Sequence, residues 1–125
     1  MAGTPLGVLL ASGGHEAGHY ALVAATGAAA LGRRVTLFAT NGGCRLLLRE
    51  APLLSDPREA LMAERGVATA AELLEAALEL PVRLLACEAG LRAEGLPEGA
   101  LLPQVEVAGF ATFLESVGAG QILTF

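Results

Sequence analysis

The stretch VRLLACEAGLRAEG, Val82 to Gly95, decides the fold. Its first part, Val82 to Ala86, is a continuous apolar run of the kind buried on both faces of a sheet. From Glu88 the pattern becomes that of a short amphipathic helix, and Gly95 ends it. Cys87 stands where one pattern gives way to the other. In an open parallel α/β sheet that point is the carboxyl edge, where loops and helix N-termini converge and ligands collect. A thiol reacts as thiolate, and backbone N–H groups at a helix N-terminus stabilise that anion. Glu88 opposes ionisation of the neighbouring sulfur unless its carboxylate turns to solvent or serves as the first-turn acid of the helix. The bland alternative is that a lone cysteine after a buried strand is a small apolar filler.

Upstream, Thr69 has the place of an N-cap and Glu72 that of the third helical residue, a capping box. Leu73, Leu74, Ala77 and Leu78 then form a helical stripe over residues 69–80, which Pro81 closes. Residues 51–65 are the least regular part, with Pro52, Pro57 and the only aspartate, Asp56, and read as loop plus a turn of helix. Residues 35–39 (VTLFA) have strand character and are broken by Thr40-Asn41-Gly42-Gly43; residues 44–50 (CRLLLRE) read as a short helix. Cys44 thus also lies just past the end of a strand. Residues 6–11 (LGVLLA) make a further buried strand, ended by Ser12-Gly13-Gly14, and an alanine-rich helix runs from about His15 to Leu31 with Gly32 as its stop.

Downstream, Pro97, Gly99 and Pro103 shape a loop, residues 105–107 (VEV) a short strand, residues 109–117 a helix, and residues 122–125 (ILTF) a last strand. Five β segments alternating with helices give an α/β fold, doubly wound around a mostly parallel sheet, in one domain spanning residues 1–125. No internal repeat or low-complexity tract interrupts it.

Composition narrows the function. The chain has 125 residues, 54% of them apolar, and a net charge of −5; all eight basic residues are arginine and they are scattered. A nucleic-acid surface needs positive charge concentrated in one patch, so no nucleic-acid partner is expected. Residues 21–31, the longest apolar segment, are too few to span a bilayer, and no signal peptide is visible, so a cytoplasmic protein with reduced thiols and no membrane partner is expected.

His15-Glu16-Ala17-Gly18-His19 satisfies the His-Glu-x-x-His pattern of zinc peptidases, in which two histidines one helical turn apart bind metal and the glutamate activates water. The run HEAGHYALVAA is similar to the active-site helix of FtsH-type zinc proteases. Context opposes that reading, because the motif opens a helix straight after a buried strand and a glycine turn. Such peptidases also need a third protein ligand and usually more chain. Ser12-Gly13-Gly14 and Asn41-Gly42-Gly43 are candidate anion nests, since successive N–H groups at a helix start hold phosphate or carboxylate. Neither is a P-loop or a dinucleotide fingerprint, and a strand-to-helix turn uses glycine in any case.

Three segments carry a resemblance: AAALGRRVTLFATNGGCRLL (28–47), RGVATAAELLEAALELPVRLLACEAGLRAEGL (65–96) and VEVAGFATFLESVGAGQILTF (105–125). Together, and most specifically in the pairing of G-V-x-T-x-x-E-L with L-x-A-C-E and V-x-V-x-G-x-A-T-F-L, they resemble the DsrE/DsrF-like family of small sulfur-relay proteins, in its single-domain branch. The resemblance implies a three-layer α/β/α sandwich around a five-stranded sheet, assembling as a homo-oligomer of three or six chains. It implies that Cys87 accepts sulfane sulfur from a donor as a persulfide and passes it to an acceptor protein, with no bound cofactor. Cys44 and Glu88 are auxiliary candidates; Cys44 would resolve the persulfide as a disulfide if its Cα lies within about 7 Å of that of Cys87. Residues 51–65 depart from the pattern, being short and without lysine where relatives carry a longer Met- and Lys-rich segment. The rival functions are a non-catalytic oligomeric module binding a small anion or metal through the glycine turns, His15 and His19, and the zinc peptidase.

Overall fold

Five strands hydrogen-bond side by side in the computed structural model, which describes residues 3–125. They are β1 (Leu6–Leu10), β2 (Val35–Ala39), β3 (Arg83–Cys87), β4 (Glu106–Ala108) and β5 (Gln121–Thr124). Their order is β4-β3-β2-β1-β5 and every neighbouring pair is parallel. The mostly parallel sheet expected from the sequence is parallel throughout. The helices are α1 (His15–Ala30), α2 (Pro57–Glu64), α3 (Ala70–Glu79), α4 (Glu88–Ala93) and α5 (Phe110–Val117).

Side-chain alternation along each strand separates two layers of core. Leu6, Val8 and Leu10 of β1, Val35, Leu37 and Ala39 of β2, and Leu84 and Ala86 of β3 pack with Ala21, Leu22 and Ala25 of α1 and Leu74 and Ala77 of α3. The other face holds a smaller cluster in which Phe38, Leu85 and Cys87 meet Phe113 and Val117 of α5. This division follows from connection handedness. The links from β1 to β4 all advance in one direction, whereas the link through α5 returns across the sheet to β5 on the far side of β1, so a right-handed crossover sends it over the opposite face.

Local signals act as expected at most boundaries. Thr69 and Glu72 form the capping box at the start of α3, each side chain bonded to the other's backbone N–H at 3.1–3.2 Å. Gly32, at φ 83, takes the left-handed conformation that ends α1. Two segments differ from expectation. Residues 51–65 contain a full two-turn helix, α2, because Asp56 accepts the N–H of Arg58 at 2.8 Å and Pro57 begins the helix with its φ already set. The segment after β2 is a 3-10 helix, Asn41–Leu47, rather than an α-helix beginning at Cys44. Among the described residues no helix is long and apolar enough to cross a membrane.

Candidate functional site

Cys87 is both the last residue of β3 and the N-cap of α4. Its sulfur accepts the backbone N–H of Gly90 at 3.3 Å, the bond an N-cap side chain makes to the third helical residue. Only 9% of the residue is exposed. The sulfur belongs to the α5 face of the sheet, in the cluster with Phe38 and Phe113. Those two rings lie nearly parallel with centroids 5.1 Å apart, and Phe110 meets Phe38 edge-on at 5.8 Å. Three of the chain's four phenylalanines therefore gather beside the one thiol at a strand end that retains some exposure. Sequence reading missed this cluster, although the i, i+3 pair Phe110 and Phe113 in an aromatic-poor chain marked it.

Glu88 does not crowd the sulfur. Its carboxylate pairs with Arg92 one turn along α4 at 3.1 Å, on the exposed side of the helix. The acid next to Cys87 is thus the first-turn acid of α4 and complements its dipole.

The close approach of α4 to the segment after β2 is possible because residue 90 is glycine. A Cβ there would sit 2.5 Å from the Asn41 nitrogen and 2.7 Å from the Thr40 hydroxyl, so the end of β2 would have to shift away. The two glycine turns proposed as anion nests press on each other in the same manner. A Cβ on Gly13 would meet the Gly42 carbonyl oxygen at 2.9 Å, and one on Gly42 would meet the Gly13 nitrogen at 3.1 Å. Gly13 and Gly42 are thereby accounted for by the packing of the first turn on the second. Ser12, Gly13 and Gly14 remain exposed at the start of α1, as does Asn41, whereas Gly43 is buried.

Cys44 also lies at the carboxyl edge but in the other layer. It is fully buried in the α1 and α3 core, its thiol donates to the Ala39 carbonyl at 3.4 Å, and burial pushes its pKa up to about 11. The Cys87 side chain packs on the opposite face of the sheet. Both cysteines are free.

The histidines have structural work. His15 donates from Nε2 to Glu59 of α2 at 2.7 Å, and the same carboxylate accepts the N–H groups of Ala70 and Ala71 at the start of α3 at 2.7 and 3.1 Å. His19 donates from Nε2 to the Ala68 carbonyl at 2.9 Å, and the two imidazoles stack at 5.8 Å. Burial acts to raise the Glu59 carboxyl, but the hydrogen bonds from His15, Ala70 and Ala71 outweigh it and hold the group below its ordinary value. Glu16, the would-be water activator, is exposed. Among the described residues no three His, Cys, Asp or Glu side chains stand together as a metal site, so the zinc-peptidase reading finds no third ligand here.

Comparison with known proteins adds the following. Residues 55–125 match the model of a family described as DsrE/DsrF/DrsH-like. No curated protein matches the chain. Among solved structures, the ychN protein from E. coli is 17% identical, with a TM-score of 0.75 over all of both chains. The MTH1491 protein of Methanobacterium thermoautotrophicum, described as of unknown function, is 17% identical, with a TM-score of 0.62 over 98% of this chain and 100% of the other. At such identities these two likenesses show the α/β fold.

Proposed function

Because this chain belongs to the DsrE/DsrF/DrsH-like family, we propose that it carries sulfane sulfur as a persulfide on Cys87 and hands it to a partner protein. The observation that supports this most directly is the Gly90 N–H at 3.3 Å from the Cys87 sulfur, in a site the sheet edge and the phenylalanines keep nearly dry. That N–H fixes the position of the sulfur at the start of α4, where an incoming sulfur can reach it.

Loading is a thiol exchange without net oxidation. The Cys87 thiolate attacks the outer sulfur of a donor persulfide, a sulfur–sulfur bond forms to Cys87, and the donor's own sulfur–sulfur bond breaks with its thiolate as leaving group. Unloading reverses the roles: an acceptor thiolate takes the outer sulfur and Cys87 returns as thiolate. Neither step requires a cofactor. Donor and acceptor are proteins in this reading, and the exposed Phe110 at the mouth of the site gives them an apolar surface to meet.

Intact-protein mass after incubation with a persulfide donor tests the proposal. Wild type and Cys44→Ser are expected to gain about 32 Da per sulfur, reversed by reductant, and Cys87→Ser to gain nothing. Sulfur retained by Cys87→Ser, or no adduct on wild type, overturns it.

A further inference from the structure

Among the described residues α2 is the one α-helix with no buried residue. Its grip on the body passes through Glu59, which binds His15 and the first two N–H groups of α3. Both α1 and α3 begin at the carboxyl edge of the sheet, so this grip holds α2 at the edge where Cys87 lies.

Arg58, Leu61, Met62 and Arg65 fall at i, i+3, i+4 and i+7, a single face of α2. With Val67 they line a depression of about 220 Å³. Leu61 is 38% and Val67 46% exposed, a large share for apolar side chains beside a cavity. Arg45, Arg83 and Arg92 are each paired with a glutamate, but among the described residues neither Arg58 nor Arg65 has an ionic partner. In a chain of net charge −5, the lining of this apolar hollow carries two guanidinium groups and no acidic side chain.

We propose that this face of α2 docks a partner protein through an acidic segment that carries an apolar side chain. Arginines seven residues apart on a helix are separated by about 10 Å, a span that their long side chains extend to carboxylates at i and i+4 on one face of an extended segment, about 13 Å apart, with an apolar residue at i+2 between them facing the hollow. The alternative occupant is a second copy of this chain, whose α3 exposes Glu75 and Glu79. That ridge offers no exposed large apolar side chain to fill the hollow, so a separate partner fits better. The docking face goes beyond the sulfur-carrier reading and stands without it.

The test selects peptides from a random library displayed on phage against the full-length protein, then titrates the labelled winners by fluorescence anisotropy. Acidic peptides with an embedded apolar residue are expected, with affinity falling as salt rises and about tenfold or more weaker for Arg58→Glu/Arg65→Glu. Because α2 buries nothing, that variant keeps its circular dichroism and unfolding midpoint; Arg58→Gln/Arg65→Gln serves if it does not. Selected peptides that are not acidic, no enrichment over blank surfaces, or equal binding to the variants overturns the proposal. Sedimentation showing self-association that the same substitutions abolish overturns it in favour of the second copy.

Discussion

At the scale of the residue, the two cysteines have opposite fates although each follows a strand. Cys44 is sealed among alanines and leucines with its pKa raised to about 11, so only about one thiol in a thousand is ionised at pH 8. Alkylation of the native protein at that pH is expected to leave Cys44 unmodified until the chain unfolds, as peptide mapping would show. The same shift bears on stability. The folded thiol holds its proton to higher pH than the unfolded thiol, whose ordinary value is 9.0, so the contribution is complete below about pH 9 and is lost as pH climbs towards 11. Wild type is expected to lose up to about 1.4 kcal/mol per pH unit across that window relative to Cys44→Ala, measured by urea unfolding. The strand-end position of both sulfurs was legible in the sequence. Their assignment to different layers was not, because it depends on where the chain turns after β2, and a 3-10 helix directs Cys44 inward where an α-helix starting at that residue was expected.

At the scale of the element, Glu59 is a carboxylate serving two helices from a third. It neutralises the positive end of α3, satisfies two of its orphan N–H groups and anchors α2 to His15. Replacement by alanine is expected to cost about 1–3 kcal/mol in chemical denaturation and to speed amide exchange at Ala70 and Ala71 before the rest of α3. Its carboxyl is held below the ordinary 4.5, so its stabilising effect is present above that pH and is lost as acid titrates the folded group; protection factors at those amides, corrected for the intrinsic pH dependence of exchange, should fall below about pH 4.5 in wild type and stay flat in Glu59→Ala. The start of α2 could have been read from Asp56-Pro57, an N-cap followed by proline, but the irregular stretch with its two prolines suggested loop plus a single turn of helix. The His15 to His19 spacing was read correctly as one helical face. Its partners, Glu59 and the Ala68 carbonyl, lie over forty residues away and no local pattern announces them.

At the scale of the whole molecule, sequence patterning was sufficient for the five strands because β1, β2 and β3 are short apolar runs, and β4 and β5 carry β-branched residues next to proline and glycine. Strand order was not, since apolar runs do not say which neighbour they prefer. The order matters, for among the described residues it leaves one face of the sheet with α5 as its sole helix. Phe110, Leu114, Ile122 and Leu123 are 41–48% exposed there and along the β5 edge. Apolar surface of this kind is normally covered by another chain. Light scattering on the purified protein is expected to give a multiple of 12.7 kDa, reduced by Leu114→Glu/Ile122→Glu; a monomer at micromolar concentration would mean that the face stays bare. The pairing of β5 with β1 has a kinetic side as well. Leu6 lies opposite Gln121, so β1 waits for a partner far along the chain, and until β5 arrives its free edge is exposed to any other extended segment nearby. Closing so long a loop is slow compared with forming the local helices, which makes arrival of β5 a natural late step in folding and the interval most in need of a chaperone.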